Sequence, residues 1–122
     1  MTKEQEKQSI PLALEDIETD YLANRRYYED QGEQLMYERN QVNRSLDEFS
    51  DSTAYYLRKF GVEESELLSS MRLIENGREE LMHEIQREQQ RVDDVLENHR
   101  LRYQRERDNL EEQLYEIGRE EE

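Results

Sequence analysis

The chain has no cysteine and no tryptophan, and only one proline, four glycines and two phenylalanines in 122 residues. Without cysteine there is no disulfide framework, no thiol nucleophile and no cysteine metal site. That composition suits a reducing cytosol, and equally an exported protein that depends on no oxidation. The glycines, Gly32, Gly61, Gly77 and Gly118, lie too far apart to form a phosphate-cradling loop. Serine nucleophiles have no ordered histidine and oxyanion scaffold in such a chain, so enzyme activity is not expected.

Apolar material is scarce too. Hydrophobic residues make up 33% of the chain and charged residues 40%, too little for a thick globular core but enough for a seam between long helices. The length fits a single domain. No apolar run is long enough to span a bilayer, and residues 1 to 8 are polar rather than a secretion signal, so no membrane insertion is expected. Positive charge is also short. A formal net charge of −15 repels nucleic acid and anionic membrane surfaces and suits a cationic protein surface. The arginine cluster Arg100, Arg102, Arg105 and Arg107 contains Glu106 and is flanked by acids. It reads as a pairing face rather than a nucleic-acid patch.

The chain does carry periodicity, which argues against the disorder that such polarity would otherwise suggest. Leu67, Met71, Ile74, Leu81, Ile85, Val92, Val95, His99, Tyr103, Leu110, Leu114 and Ile117 recur at helical spacing, with no proline among them. An earlier stripe runs through Ile10, Leu14, Ile17, Tyr21, Tyr28, Leu35, Val42, Leu46, Phe49, Tyr56 and Phe60. Each advances at roughly 3.57 residues per step, which implies only a slight left-handed supercoil. Two stripes of matched length predict an all-α fold, a long antiparallel coiled-coil-like helical hairpin over residues 9 to 122 after a frayed polar segment over 1 to 8. Ser9 and Pro11 supply the start signal. The reversal falls between residues 50 and 61, either in the run Ser50, Asp51, Ser52, Thr53 or at Gly61. A hairpin centred on Gly61 sets Glu15, Asp16, Glu18 and Asp20 opposite the arginine cluster.

The apolar stripe is wider than one seam. With Leu67 in a d position, the a positions are Met71, Arg78, Ile85, Val92 and His99, and e positions include Leu68, Met82, Leu96 and Tyr103. A two-helix seam uses a and d alone. Doublets such as Tyr27 with Tyr28, Leu35 with Met36, Tyr55 with Tyr56 and Leu114 with Tyr115 cannot both face it, because adjacent helical residues point about 100° apart. The expected partner-binding face is therefore Tyr28, Leu35, Met36, Tyr55, Tyr56, Leu68, Met82, Leu96, Tyr103, Leu114 and Tyr115, covered by helices of another chain.

Metal chemistry is weakly signalled. Glu80 and His83 form one Glu-x-x-His pair where a di-iron bundle uses two, and His83 points away from Leu81 and Ile85. His83 and Glu84 open a zincin pattern, but residue 87 is Arg, not the second histidine. No cofactor is expected. His99 continues the apolar phase and is read as a core-edge histidine answered by a carboxylate across the seam.

The acidic, cysteine-free length, the opening Lys3-Glu4-Gln5-Glu6 and the closing pattern from Arg87 through Arg107 to Leu114-Tyr115 resemble the small helical partner proteins of LXG toxins. Those proteins serve type VIIb secretion in Gram-positive bacteria and are distantly WXG-like. The resemblance implies a non-enzymatic targeting adaptor with no small-molecule substrate. It would bind the helical N-terminal LXG region of a toxin beside a second small helical partner, reside in the cytoplasm before export, and could leave the cell with its toxin. The chain departs from the pattern in having no Trp-x-Gly and no tyrosine followed four residues later by an acid. Its nearest counterpart to an export signal is Phe60 with Glu64, an aromatic and an acid four apart, which resembles a Phe-x-x-x-Asp type of signal. A self-associating cytosolic coiled-coil scaffold is the alternative; a metal-dependent bundle enzyme would require bound iron or manganese.

Overall fold

The computed structural model describes residues 2–121. Two α-helices make up the fold: α1 spans Lys3–Lys59 and α2 spans Glu64–Glu120, with no strand among the described residues. They pack against each other as an all-α helical hairpin.

Helix α1 begins earlier than the sequence suggests. Residues 3 to 8 are helical, not frayed, because Thr2 and Gln5 form a reciprocal cap. Thr2 N donates to Gln5 Oε1 at 3.1 Å and Gln5 N to Thr2 Oγ1 at 3.2 Å, which satisfies two of the first turn's otherwise orphaned amides. Pro11 then lies inside the helix, not at its start. Ser9, expected as a cap, instead donates its hydroxyl to the Glu6 carbonyl at 3.0 Å.

The reversal occupies Phe60 to Glu63. Ser50 to Thr53 are helical, so of the two candidate sites the glycine makes the turn. Gly61 sits at φ +69°, in the left-handed region that costs a side-chain-bearing residue about 1–2 kcal/mol. Its amide donates to the Arg58 carbonyl and that of Val62 to the Leu57 carbonyl, at 3.1 and 3.0 Å. These bonds cap the last turn of α1 in the manner of a glycine-terminated helix.

Contacts divide the hairpin into two compact units. One joins α1 up to Asp30 with α2 from Val92, and the other is Gln31–Arg91. In the first, Ile10, Val92 and Ile117 are buried. Tyr21 stacks on Tyr103 with ring centroids 4.5 Å apart, and Lys3 and Lys7 reach Glu120 and Glu121 at 2.8 Å each. In the second, Leu67 is buried, Ser50 Oγ donates to Met71 Sδ at 3.4 Å, and Arg78 crosses to Asn43 and Asp47.

The seam follows the expected stripe only in part. Toward the end of α1 it runs through Leu46, Ser50, Thr53, Ala54 and Leu57, while Phe49, Tyr56 and Phe60 are 58%, 54% and 76% exposed. In α2 the half-buried rung is Met82 in place of Leu81. An α-helix advances about 3.6 residues per turn. A frame read at a shorter step therefore drifts off the seam over many turns, and it selects aromatics where the geometry places small residues.

Candidate interaction surface

A pair of helices buries one seam, and here the seam is thin. Among the described residues four hydrophobic side chains are buried, Ile10, Leu67, Val92 and Ile117, most of the others on the seam are half-buried, and fourteen large ones are exposed. The candidate face divides accordingly. Tyr28, Leu35, Met82, Leu96, Tyr103 and Leu114 are half-buried, and Tyr28 and Tyr103 are engaged within the chain by His99 and Tyr21. Met36, Tyr55, Tyr56, Leu68 and Tyr115 are exposed, between 45% and 67%. Leu12, Leu22, Tyr27, Tyr37, Leu73 and Leu101 are exposed as well. Leu22 and Leu73 adjoin the stripe residues Tyr21 and Ile74, a signal of the same doublet kind; for Leu12 and Leu101 the signal was their distance from the seam phase.

The proposed export pair does not share a helical turn. Phe60 lies past the end of α1, and Glu64 is the first residue of α2. Gly61 breaks the helix between them, so the i, i+4 geometry of one continuous face is absent.

His99 is half-buried in a T-shaped contact with Tyr28, centroids 5.4 Å apart and planes at 88°. Among the described residues no carboxylate forms an ion pair with it. Asp20 and Glu106 line the same groove of about 210 Å³, with Arg102, Tyr21 and Tyr103. Both acids are exposed, where water solvates them, and the tyrosine occupies the position opposite the imidazole. His83, in turn, is exposed on a single helix face with Glu80 and Glu84. Among the described residues no three histidine or carboxylate groups converge as a metal site needs.

Among the described residues Arg100 and Arg107 of the arginine cluster pair along their own helix, and no member pairs across the seam. Arg100 binds Glu97 at 2.7 Å, and Arg107 lies near Asp108 and Glu111 at 3.6 and 3.9 Å. Residues three and four apart on a helix are nearer than exposed side chains on opposite helices. The Arg100 guanidinium, through that hydrogen bond and its charge, holds the Glu97 carboxyl below its ordinary range.

Arg78 is the polar side chain that the stripes did not assign. Its side chain is 17% exposed. It donates from Nη1 to Asn43 Oδ1 at 3.0 Å and to the Asn43 carbonyl at 3.3 Å, from Nη2 to Asp47 Oδ1 at 2.7 Å, and from Nε to Glu75 Oε1 at 3.2 Å. The hydrogen bond to Asp47 foremost, with the charges of Glu75 and Asp47 and the bond to Glu75, raises the guanidinium pKa above its ordinary value. An arginine at an a position of the seam was the available signal.

In class the protein is a helical hairpin whose seam is mostly half-buried and which carries further large apolar side chains outside it. Compared with known protein families, curated proteins and solved structures, the chain matches none. Among the described residues no helix is long and apolar enough to cross a membrane.

Proposed function

We propose that this chain is a non-enzymatic helical adaptor that completes its apolar packing against helices of another protein. The observation that carries this reading is that, among the described residues, fourteen large hydrophobic side chains are exposed, off the one seam that two helices bury. Exposed apolar residues are ordinary singly, but so many on a two-helix protein leave much of its apolar area in water until further helices cover it. The field of a chain with net charge −15 favours a partner whose docking helices carry basic residues beside apolar ones.

The resemblance to LXG-toxin partner proteins names the class of that partner. It is the helical N-terminal LXG region of a toxin, bound together with a second small helical protein in the cytoplasm before type VII secretion. Met36 and Tyr115, both exposed and in different units of the hairpin, are the candidate contacts outside the reversal end. Coexpression of the chain with an LXG region encoded beside it, followed by purification through the LXG region alone, tests this. A mixed complex is expected, and the double variant Met36→Asp, Tyr115→Asp should reduce its yield while the free chain keeps its helicity by circular dichroism. Failure of wild-type chain to copurify would set the reading aside in favour of the self-associating scaffold.

A further inference from the structure

The reversal end differs from the rest of the chain in charge. Between Phe49 and Leu73 the acids Asp51, Glu63, Glu64 and Glu66 are nearly balanced by Arg58, Lys59 and Arg72, so almost all of the net charge of −15 lies elsewhere. The same stretch carries Phe49, Tyr55, Tyr56, Phe60, Leu68 and Leu73, each between 54% and 76% exposed. Phe49, Tyr56 and Phe60 follow at spacings of seven and four, which places them on one face of the chain entering the turn. The Ser50–Met71 hydrogen bond sets Leu73 at about the level of Phe49.

Charge sign is ordered across the turn. Arg58 and Lys59 close α1, and Glu64 and Glu66 lie in the first turn of α2. Each set suits the dipole of its own helix. Among the described residues Arg58, Lys59, Glu63, Glu64 and Glu66 make no ion pair with one another or with any other group.

We propose that the reversal end is a self-docking surface whose occupant is a second copy of this chain. A two-fold axis sets the basic last turn of α1 in one copy against the acidic first turn of α2 in the other. Such an axis makes every pairing twice. The acidic remainder of each copy favours a cationic foreign partner. At the reversal end exposed apolar area and opposite charges on the two helices coincide. At their present exposures Phe49, Tyr56, Phe60 and Leu73 of both copies would bury roughly 1,000 Å², the lower end for a stable interface, so the dimer should form with a Kd on the order of micromolar. The proposal shares the excess of exposed apolar surface with the adaptor reading but does not depend on an LXG partner. A chain that pairs through its reversal end and ignores LXG regions would overturn only the latter.

Two charge-reversed full-length chains provide the test: Arg58→Glu with Lys59→Glu, and Glu64→Lys with Glu66→Lys. By sedimentation velocity over a concentration series, wild type should dimerise and each variant alone should bind itself at least about tenfold more weakly. An equimolar mixture of the two, both helical by circular dichroism, should recover the dimer. Because the chain lacks cysteine, nitroxide labels at Glu63→Cys and, separately, at Glu15→Cys locate the contact in an otherwise wild-type chain. Short label-to-label distances at 63 with none at 15 are expected. A wild-type monomer at hundreds of micromolar, or short distances at both positions, would overturn the proposal, as would no recovery in the mixture of two folded variants.

Discussion

Arg78 Nη2 lies 2.7 Å from Asp47 Oδ1, joining a guanidinium side chain that is 17% exposed to a carboxylate side chain that is 70% exposed. The bond runs from inside the seam to its edge and crosses from α2 to α1. With the two bonds to Asn43 it ties the two helices of this unit together at one level, since a slide of either would strand a partly buried cation. Arg78→Ala is expected to lower the melting temperature followed by circular dichroism. Arg78→Leu, which refills the seam with apolar volume, should lose less. Arg78→Lys should rescue poorly, because an ammonium cannot span Asn43 and Asp47 as the guanidinium fork does.

Packing provides a sharper contrast. Val92 is 2% exposed and Leu73 is 72% exposed. Truncating Val92 to alanine removes two buried methyl-sized groups and should destabilise by about 2 kcal/mol in urea unfolding. Leu73→Ala should stay within about 0.5 kcal/mol.

Two glycines should respond in opposite directions. An added Cβ meets nothing within 4 Å at either Gly61 or Gly77, so space decides neither. Gly61 has φ +69°, and Gly61→Ala should cost about 1–2 kcal/mol through backbone strain alone, with Gly61→Asn milder. Gly77 lies within α2, where alanine is the better helix former, and Gly77→Ala should stabilise by about 0.5–1 kcal/mol.

Much of this fold was legible in the sequence because helical periodicity reports which residues share a face, and Ile10, Leu67, Val92 and Ile117 all stood on the expected stripes and are buried. Phe49, Tyr56 and Phe60 fall on the sequence stripe because hydrophobicity sets its phase, and they are exposed. The structure keeps the phase of the helix itself and seats Ser50, Thr53, Ala54 and Leu57 instead. The start of α1 was missed because Thr2 and Gln5 cap it with two polar side chains that carry no apolar signal. Of the surface, the excess over one seam was legible from the doublets. Which member faced water was not, because that depends on a phase drift that accumulates along each helix.

The chain ends titrate separately from the seam. Hydrogen bonding to Glu120 raises the Lys3 pKa, and the Lys3 ammonium lowers that of Glu120; Lys7 is raised by Glu121. A lowered carboxyl pKa contributes stability above its ordinary value and loses it as pH falls through the folded value. Amide exchange in residues 3 to 10 and 114 to 120 should therefore quicken relative to that around Val92 as pH drops below about 4. Raised lysine values add stability that is lost as pH rises through the folded values, above 10.5, so the same ends should loosen again in strong alkali.

The most direct test of the adaptor reading is light scattering on a sizing column, with circular dichroism, of the chain alone and mixed with a candidate LXG helical region. The account predicts a mixed complex in which Tyr115 and Met36 become protected from solvent. A chain that forms the same self-assembly with or without the LXG region, with no protection at those residues, would contradict it and leave the scaffold as the function.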